Sequence, residues 1–233
     1  MTEPLAASSP SSTNRTLEQI RRQLETLGSP RYDVRVQDGR TGALLHARDN
    51  LSPEQVLESS RWLQHLNANG AEILFRPTGR TAISHLAEVS GRDLRAARGA
   101  GFEPAAVVRL PSGKREVWLR SPEPLDTLER PALERSLADT FRGQPTASDG
   151  GFGHLAGFTV RARERGEDPP AQPRYVELED ATGISYSEGA PLLAAVRSRL
   201  QEEALARATD REVVQVASLT GPLLARLEAE HPD

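Results

Sequence analysis

The residues with the clearest chemical potential sit at the end of an apolar strand. Ala82 to Val89 reads as a strand that delivers one carboxylate, Glu88, immediately after Ala87. Strands ending in acidic side chains are how many nucleotidyl-transfer enzymes hold two divalent metal ions. Ala87 can ligate nothing, so one acid stands where that chemistry asks for a pair. A lone Glu at a strand end is in most folds simply solvated. His85, on the same strand, more often satisfies a packed interior than it binds a ligand. Further on, the run Gly150-Gly151-Phe152-Gly153 would let backbone N–H groups approach a phosphate, a weak signal by itself. His154 follows it, placed to meet phosphate or solvent. Arg76, Arg80, Lys114, Arg115, Arg161 and Arg163 would bind backbone phosphates if the fold gathered them into one cleft. Dispersed over the surface, they would look the same in sequence.

Composition narrows the classes. The chain has 233 residues, 37% hydrophobic and 27% charged, enough to bury a sizeable core in one large or two small domains. The formal net charge is −4, so nucleic-acid binding requires a local basic patch rather than bulk charge. Cysteine is absent, which excludes disulfides, thiol catalysis and cysteine zinc sites. Residues 1–14 lack the basic start and apolar run of a secretory signal. No apolar run reaches the roughly 20 residues of a membrane helix, so a cytoplasmic protein with no membrane contact is the expectation.

The elements that must position these groups follow from caps and periodicity. Residues 1–13 are Ser/Ala/Pro-rich and read as a disordered tail. Thr16 with Gln19 forms a capping box that would open a helix ending at Gly28, with Leu17, Ile20, Leu24 and Leu27 as its stripe. Tyr32 to Val36 and Ala43 to Ala47 read as strands around the turn Asp38–Gly42. Ser52, Pro53 and Gln55 start a second helix that runs to Gly70 with Val56, Leu63 and Leu66 inward. Glu72 to Phe75 is a strand, and Arg92 to Arg98 a short helix. Ala105 to Leu110 and Glu116 to Arg120 form a hairpin around Pro111–Lys114, and Trp118 reads as core. Leu128 to Phe141 is an amphipathic helix, 143–159 a glycine-rich loop, 164–173 a polar loop, and Tyr175 to Leu178 a last strand. Helices are predicted over 190–207 and 210–229. The mix is α+β, with a tail over 1–13, a mixed domain over 14–188 and C-terminal helices over 189–233.

Several separated blocks then point one way. Tyr32-Asp33-Val34, Asp38 to Gly42, Trp62-Leu63, Asn67-Ala68 with Gly70, and Phe75-Arg76-Pro77 come first. Gly101 to Ala105, Gly113 with Trp118, Asp149, and Leu155-Ala156-Gly157-Phe158-Thr159 follow. In this order and spacing, over roughly residues 17–195, they resemble the RepB-type primase domain of plasmid replication and mobilisation proteins. The resemblance implies the archaeo-eukaryotic primase-like, RRM-like fold: a mixed sheet with flanking helices and a helical tail. It implies single-stranded DNA or nucleotide as partner, a replication or mobilisation protein as a further partner, and Mg²⁺ or Mn²⁺ as cofactor of an active enzyme.

The resemblance also assigns residues. The family's catalytic Asp-Asp pair falls on Ala87 and Glu88, and its later acid on Asp149, so Glu88 and Asp149 are the candidate catalytic and metal-binding residues. Arg76, Lys114, His154, Arg161 and Arg163 are the candidate nucleic-acid or nucleotide contacts. The departures are the missing aspartate at Ala87, the longer side chain of Glu88, Lys114 and Glu116 where polar amide-type residues are usual, and His154 in place of arginine. Losing an anionic ligand weakens a metal site, and catalytic positioning suffers from errors on the order of 1 Å. The expectation is therefore a primase-fold protein that binds single-stranded DNA or nucleotide, its primer-synthesis activity weakened or lost. The alternatives are an active primase that takes its missing carboxylate from Glu116 or Asp93, and a non-enzymatic interaction module.

Overall fold

The computed structural model describes residues 12–147, 150–160 and 174–208. Residues 1–11, the loop over 164–173 and the helix expected over 210–229 lie outside them. The described residues form an α+β fold of two antiparallel sheets with helices against them.

The first helix, α1 (Ser12–Leu27), begins upstream of the expected cap. Thr16 is buried and its hydroxyl donates to the carbonyl of Gly157 at 2.8 Å, while the Gln19 Oε1 accepts from the Leu178 N–H at 2.9 Å. Two residues that read as a cap thus staple the helix to the rest of the fold. The strands β1 (Tyr32–Asp38) and β2 (Leu44–Leu51) form the expected hairpin, with β2 extending further than its apolar start suggests. The helix expected from Ser52 to Gly70 is broken into α2 (Pro53–Glu58) and α3 (Ser60–Ala68). Its capping box is formed as read: Ser52 accepts from the Gln55 N–H and Gln55 accepts from the Ser52 N–H. The break falls at Ser59, whose hydroxyl turns back to the Gln55 carbonyl at 2.8 Å and receives Arg48 at 3.0 Å. Serine competing for backbone in this way favours helix ends over interiors.

Next come β3 (Ala71–Pro77), β4 (Ile83–Val89), α4 (Gly91–Gly99), β5 (Ala106–Arg109), β6 (Arg115–Arg120) and α5 (Glu129–Phe141). The stretch expected to be loop carries three short strands: β7 (Gln144–Pro145), β8 (Gly153–His154) and β9 (Thr159–Val160). Strands of two residues have no readable period, so only their partners define them. After β10 (Arg174–Tyr175) and β11 (Glu177–Ala181), a sixth helix, α6, covers residues 189–208.

The first sheet has the order β2-β1-β3-β8 and the second β11-β5-β6-β4-β7; β9 and β10 make a separate ribbon. The second sheet is buried on both faces, which is why Glu116 to Leu119 is buried without a break. Alternation sends Val117 and Leu119 toward α4, α5 and α6, where Leu94, Leu133, Leu137, Phe141, Leu193 and Val196 complete one core. It sends Trp118 toward the first sheet, where Phe75 lies at 5.2 Å between ring centroids and Tyr32 packs behind it. The seam between the two sheets is where the chemically interesting residues lie.

Candidate nucleic-acid site

Glu88 sits on a β-bulge. In the β4–β6 ladder Leu86 pairs with Val117 and Val89 with Arg115, so Ala87 and Glu88 together oppose the single residue Glu116. Glu88 takes the left-handed conformation, φ 59°, and its side chain is exposed. A bulge re-aims side chains and ends regular pairing, and it recurs beside functional sites. A left-handed residue other than Gly, Asn or Asp is unusual. An aspartate would fit this backbone better than the glutamate it carries. Ala87 pairs with Gln144 of β7 and brings no polar group to the site.

Glu116, opposite the bulge, is buried and its carboxylate is fully engaged. Oε1 meets the His154 Nδ1 at 2.6 Å, and Oε2 accepts the His154 backbone N–H at 2.7 Å. The outward N–H of the edge strand β8 thus ends on a carboxylate from the other sheet. Burial pushes the Glu116 carboxyl up, but the His154 imidazolium outweighs it and holds the group below the ordinary carboxylate value. Burial would lower His154, yet Glu116 wins there too and raises it above the ordinary imidazole value. The two form a closed ion pair.

His85 lies beside this pair, its Nε2 3.8 Å from Glu116 and its Nδ1 3.0 Å from the Thr146 hydroxyl. It stacks on Trp118 at 4.0 Å and 12° between planes. Burial lowers its pKa to about 4, even with Glu116 nearby, so it is neutral in the fold at neutral pH. Gly153 covers the stack: a Cβ there would sit 2.6 Å from both His85 Cε1 and Trp118 Cζ2. The last glycine of the run is therefore required by packing. A third buried acid, Glu134 of α5, accepts the backbone N–H groups of His85, Thr146 and Ala147 at 3.0, 2.9 and 2.7 Å. It closes the gap where β7 leaves β4 unpaired, and burial raises its pKa despite those donors. Sequence reasoning missed Glu134. The available signal was its place three residues before Leu137 and seven before Phe141, a charge on an apolar helical face.

The other expected contacts separate. Lys114, on the β5–β6 turn, reaches the Glu88 carbonyl with Nζ at 3.4 Å, so these two residues do meet. Its neighbour Arg115 is held by Glu179. Arg76 is largely committed to the scaffold: Nε and Nη2 donate to Asp33 at 2.9 and 2.8 Å, and Nη1 donates to the Gly150 carbonyl at 2.7 Å. Its guanidinium also stacks 4.6 Å from Phe152, with Arg35 on the same ring at 4.0 Å. Arg80 and Arg76 line a pocket that neither Lys114 nor Arg115 lines. Asp149, Arg161 and Arg163 lie outside the described residues.

The Mg²⁺ or Mn²⁺ implied by the family needs converging anionic donors. Among the described residues no three His, Asp or Glu side chains are grouped to hold a metal ion. Ala87 offers no donor, and both Glu116 oxygens are taken by His154. The described donor set does not fit a two-metal site. No described helix is long and apolar enough to cross a membrane.

The blocks behind the family resemblance prove to be scaffold that meets in space. The Asn67 side chain donates to the Ala71 and Thr159 carbonyls and accepts from the Thr159 N–H and hydroxyl, at 2.6–2.9 Å. Asp33 grips Arg76 and also accepts the Asn50 N–H at 2.9 Å. Comparison with known proteins agrees. No family model matches the chain. The chain is 28% identical over 223 residues to "Mobilization protein A" of Escherichia coli, covering 93% of this chain but only 30% of that protein. It superimposes on the crystal structure of primase RepB′ with a TM-score of 0.76 and 26% identity, over 86% of this chain and 68% of that one. The catalytic domain of primase RepB′ in complex with initiator DNA matches with a TM-score of 0.73 and 28% identity, over 82% of this chain and 97% of that one. The primase-polymerase domain of cyanophage S-2L, at 15% identity and a TM-score of 0.53, shares the fold alone. In its two-sheet scaffold and in sequence the chain is thus similar to the primase RepB′ and carries a primase-like fold.

Proposed function

We propose that this chain is a nucleic-acid-binding primase-fold protein of plasmid or mobile-element replication and mobilisation, with its polymerising chemistry weakened or lost. The observation that carries the reading is the bulge. Ala87 falls where the family resemblance would put the first acid, Glu88 is exposed on a left-handed backbone, and Glu116 across from them is closed on His154. Single-stranded DNA is the proposed ligand. The RepB′ catalytic domain in complex with initiator DNA supports it by likeness. The contacts are proposed at Lys114, beside Glu88, and at the edge around His154, with backbone phosphates supplying most of the affinity.

Fluorescence anisotropy with labelled single-stranded oligonucleotides in EDTA, over about 50 to 200 mM salt, tests this. Binding that weakens linearly with the logarithm of salt is expected, and Lys114→Ala should reduce that slope by about one. Absence of binding at low salt would sink the reading. An active primase with a rearranged carboxylate site is the second reading, favoured only by the placement of Glu116 opposite the bulge. It requires Glu116 to leave His154 for a metal ion.

A further inference from the structure

A second concentration of charge lies outside the bulge. Arg76, Arg80 and Arg130 share a cavity of about 410 Å³, whose apolar walls include Leu125, Pro131 and Ala147. This falls within the size range of small-ligand pockets. The three arginines differ in how far their charge is already met. Arg76 is paired with Asp33. Arg130, in the first turn of α5, is half-buried, donates only a 3.2 Å bond to the Gly79 carbonyl, and keeps its Nε buried without an acceptor. Burial lowers its pKa, the Arg76 charge adds to that, and Glu134 opposes both. Arg80 is exposed and has no hydrogen-bond partner among the described residues. The acid in the wall, Asp126, accepts the Leu128 and Glu129 N–H groups with Oδ1 at 2.8 and 2.7 Å, and the nearby Arg80 charge helps to hold its carboxyl below the ordinary value. Arg130 is thus left short of acceptors in a partly desolvated pocket, with Arg80 at its exposed rim, an arrangement that an anion would complete.

We propose that this cavity binds a terminal phosphate, carried by a free nucleotide or by the phosphorylated end of a DNA strand. The inference rests on the nucleic-acid reading above and adds a subsite to it. A phosphomonoester carries close to two negative charges, matching Arg80 and Arg130, whereas an internal phosphodiester carries one. The apolar wall gives the sugar or base a surface that free phosphate lacks. None of the residues lining the cavity belongs to the bulge, while Ala147 and Gly150 flank Asp149 in the sequence.

The test uses the full chain in EDTA with single-stranded oligonucleotides that carry either a 5′-phosphate or a 5′-hydroxyl, and competition by ATP, by dAMP and by inorganic phosphate. The phosphorylated strand or the nucleotides are expected to bind about tenfold better than the hydroxyl strand or inorganic phosphate. Arg80→Ala, at an exposed position, should erase most of that preference. Arg130→Gln should do the same while keeping a neutral donor, and urea melts check that both variants fold. Preference for the phosphorylated strand without nucleotide competition assigns the site to a strand end, and the reverse assigns it to free nucleotide. Equal binding of the two strands with no nucleotide competition, or a preference unchanged in both variants, overturns the inference and leaves the nucleic-acid reading standing. Failure of every oligonucleotide to bind removes both.

Discussion

Replacing Glu116 should expose the role of the seam between the sheets. Glu116→Ala removes the partner of a charged His154 and orphans the His154 backbone N–H, both at a site where the carboxylate is 5% exposed. Breaking one member of a buried pair costs about 3–5 kcal/mol. An orphaned buried N–H alone accounts for about 1–3 kcal/mol of that. The cost must depend on pH. His154 has a raised folded pKa, so its contribution is complete below the unfolded value and is lost as pH rises through the folded one. Glu116 has a lowered folded pKa, so its contribution is complete above the unfolded value and is lost as pH falls through the folded one. The pair therefore contributes most between those limits, around pH 5 to 6.5. Urea unfolding of wild type and Glu116→Ala at about pH 6 measures this directly. The deficit should be several kcal/mol there and should shrink as pH rises through the folded His154 value. A deficit below about 1 kcal/mol at pH 6 would refute a buried His154–Glu116 ion pair.

Three further outcomes follow from named contacts. The His85 pKa falls from its ordinary value to about 4, so the unfolded chain binds the extra proton and stability should decline by about 3 kcal/mol as pH falls from 6.5 to 4. Thermal melts across that window check it, and His85→Phe, which keeps a ring against Trp118, should flatten the slope. Glu134→Ala leaves three buried backbone N–H groups without an acceptor and should cost several kcal/mol in urea melts. Glu134→Gln, which still accepts, should cost less. Glu88→Gly relieves a left-handed backbone and should raise stability by about 1 kcal/mol while deleting the carboxylate, as read by the urea midpoint.

The sequence made the scaffold legible where local chemistry decides structure. The Ser52–Gln55 capping box, the hairpin around Pro111–Lys114 and the core place of Trp118 all follow from residues near one another in the chain. The family blocks were legible for a different reason: Asn67 with Thr159 and Asp33 with Arg76 are partners that only the fold brings together. What stayed hidden depends on distant contacts. Thr16 and Gln19 satisfy a local capping pattern but are used to anchor Gly157 and Leu178. β7 and β8 exist because β4 and β3 have free edges, which two-residue segments cannot announce. At the site, Ala87 and Glu88 were readable as an altered pair. The bulge, the closure of Glu116 on His154 and the pocket that Arg76 and Arg80 line without Lys114 required the sheet register.

The most direct test of the central claim is primer synthesis on single-stranded templates with Mg²⁺ or Mn²⁺, run at a protein concentration that saturates the template by anisotropy. The wild-type chain is predicted to bind and yield little or no metal-dependent product, and Ala87→Asp combined with Glu88→Asp to yield more. Abundant template-directed product from the wild type, abolished by Glu88→Ala or Asp149→Ala, would contradict it and place a working carboxylate site at the bulge.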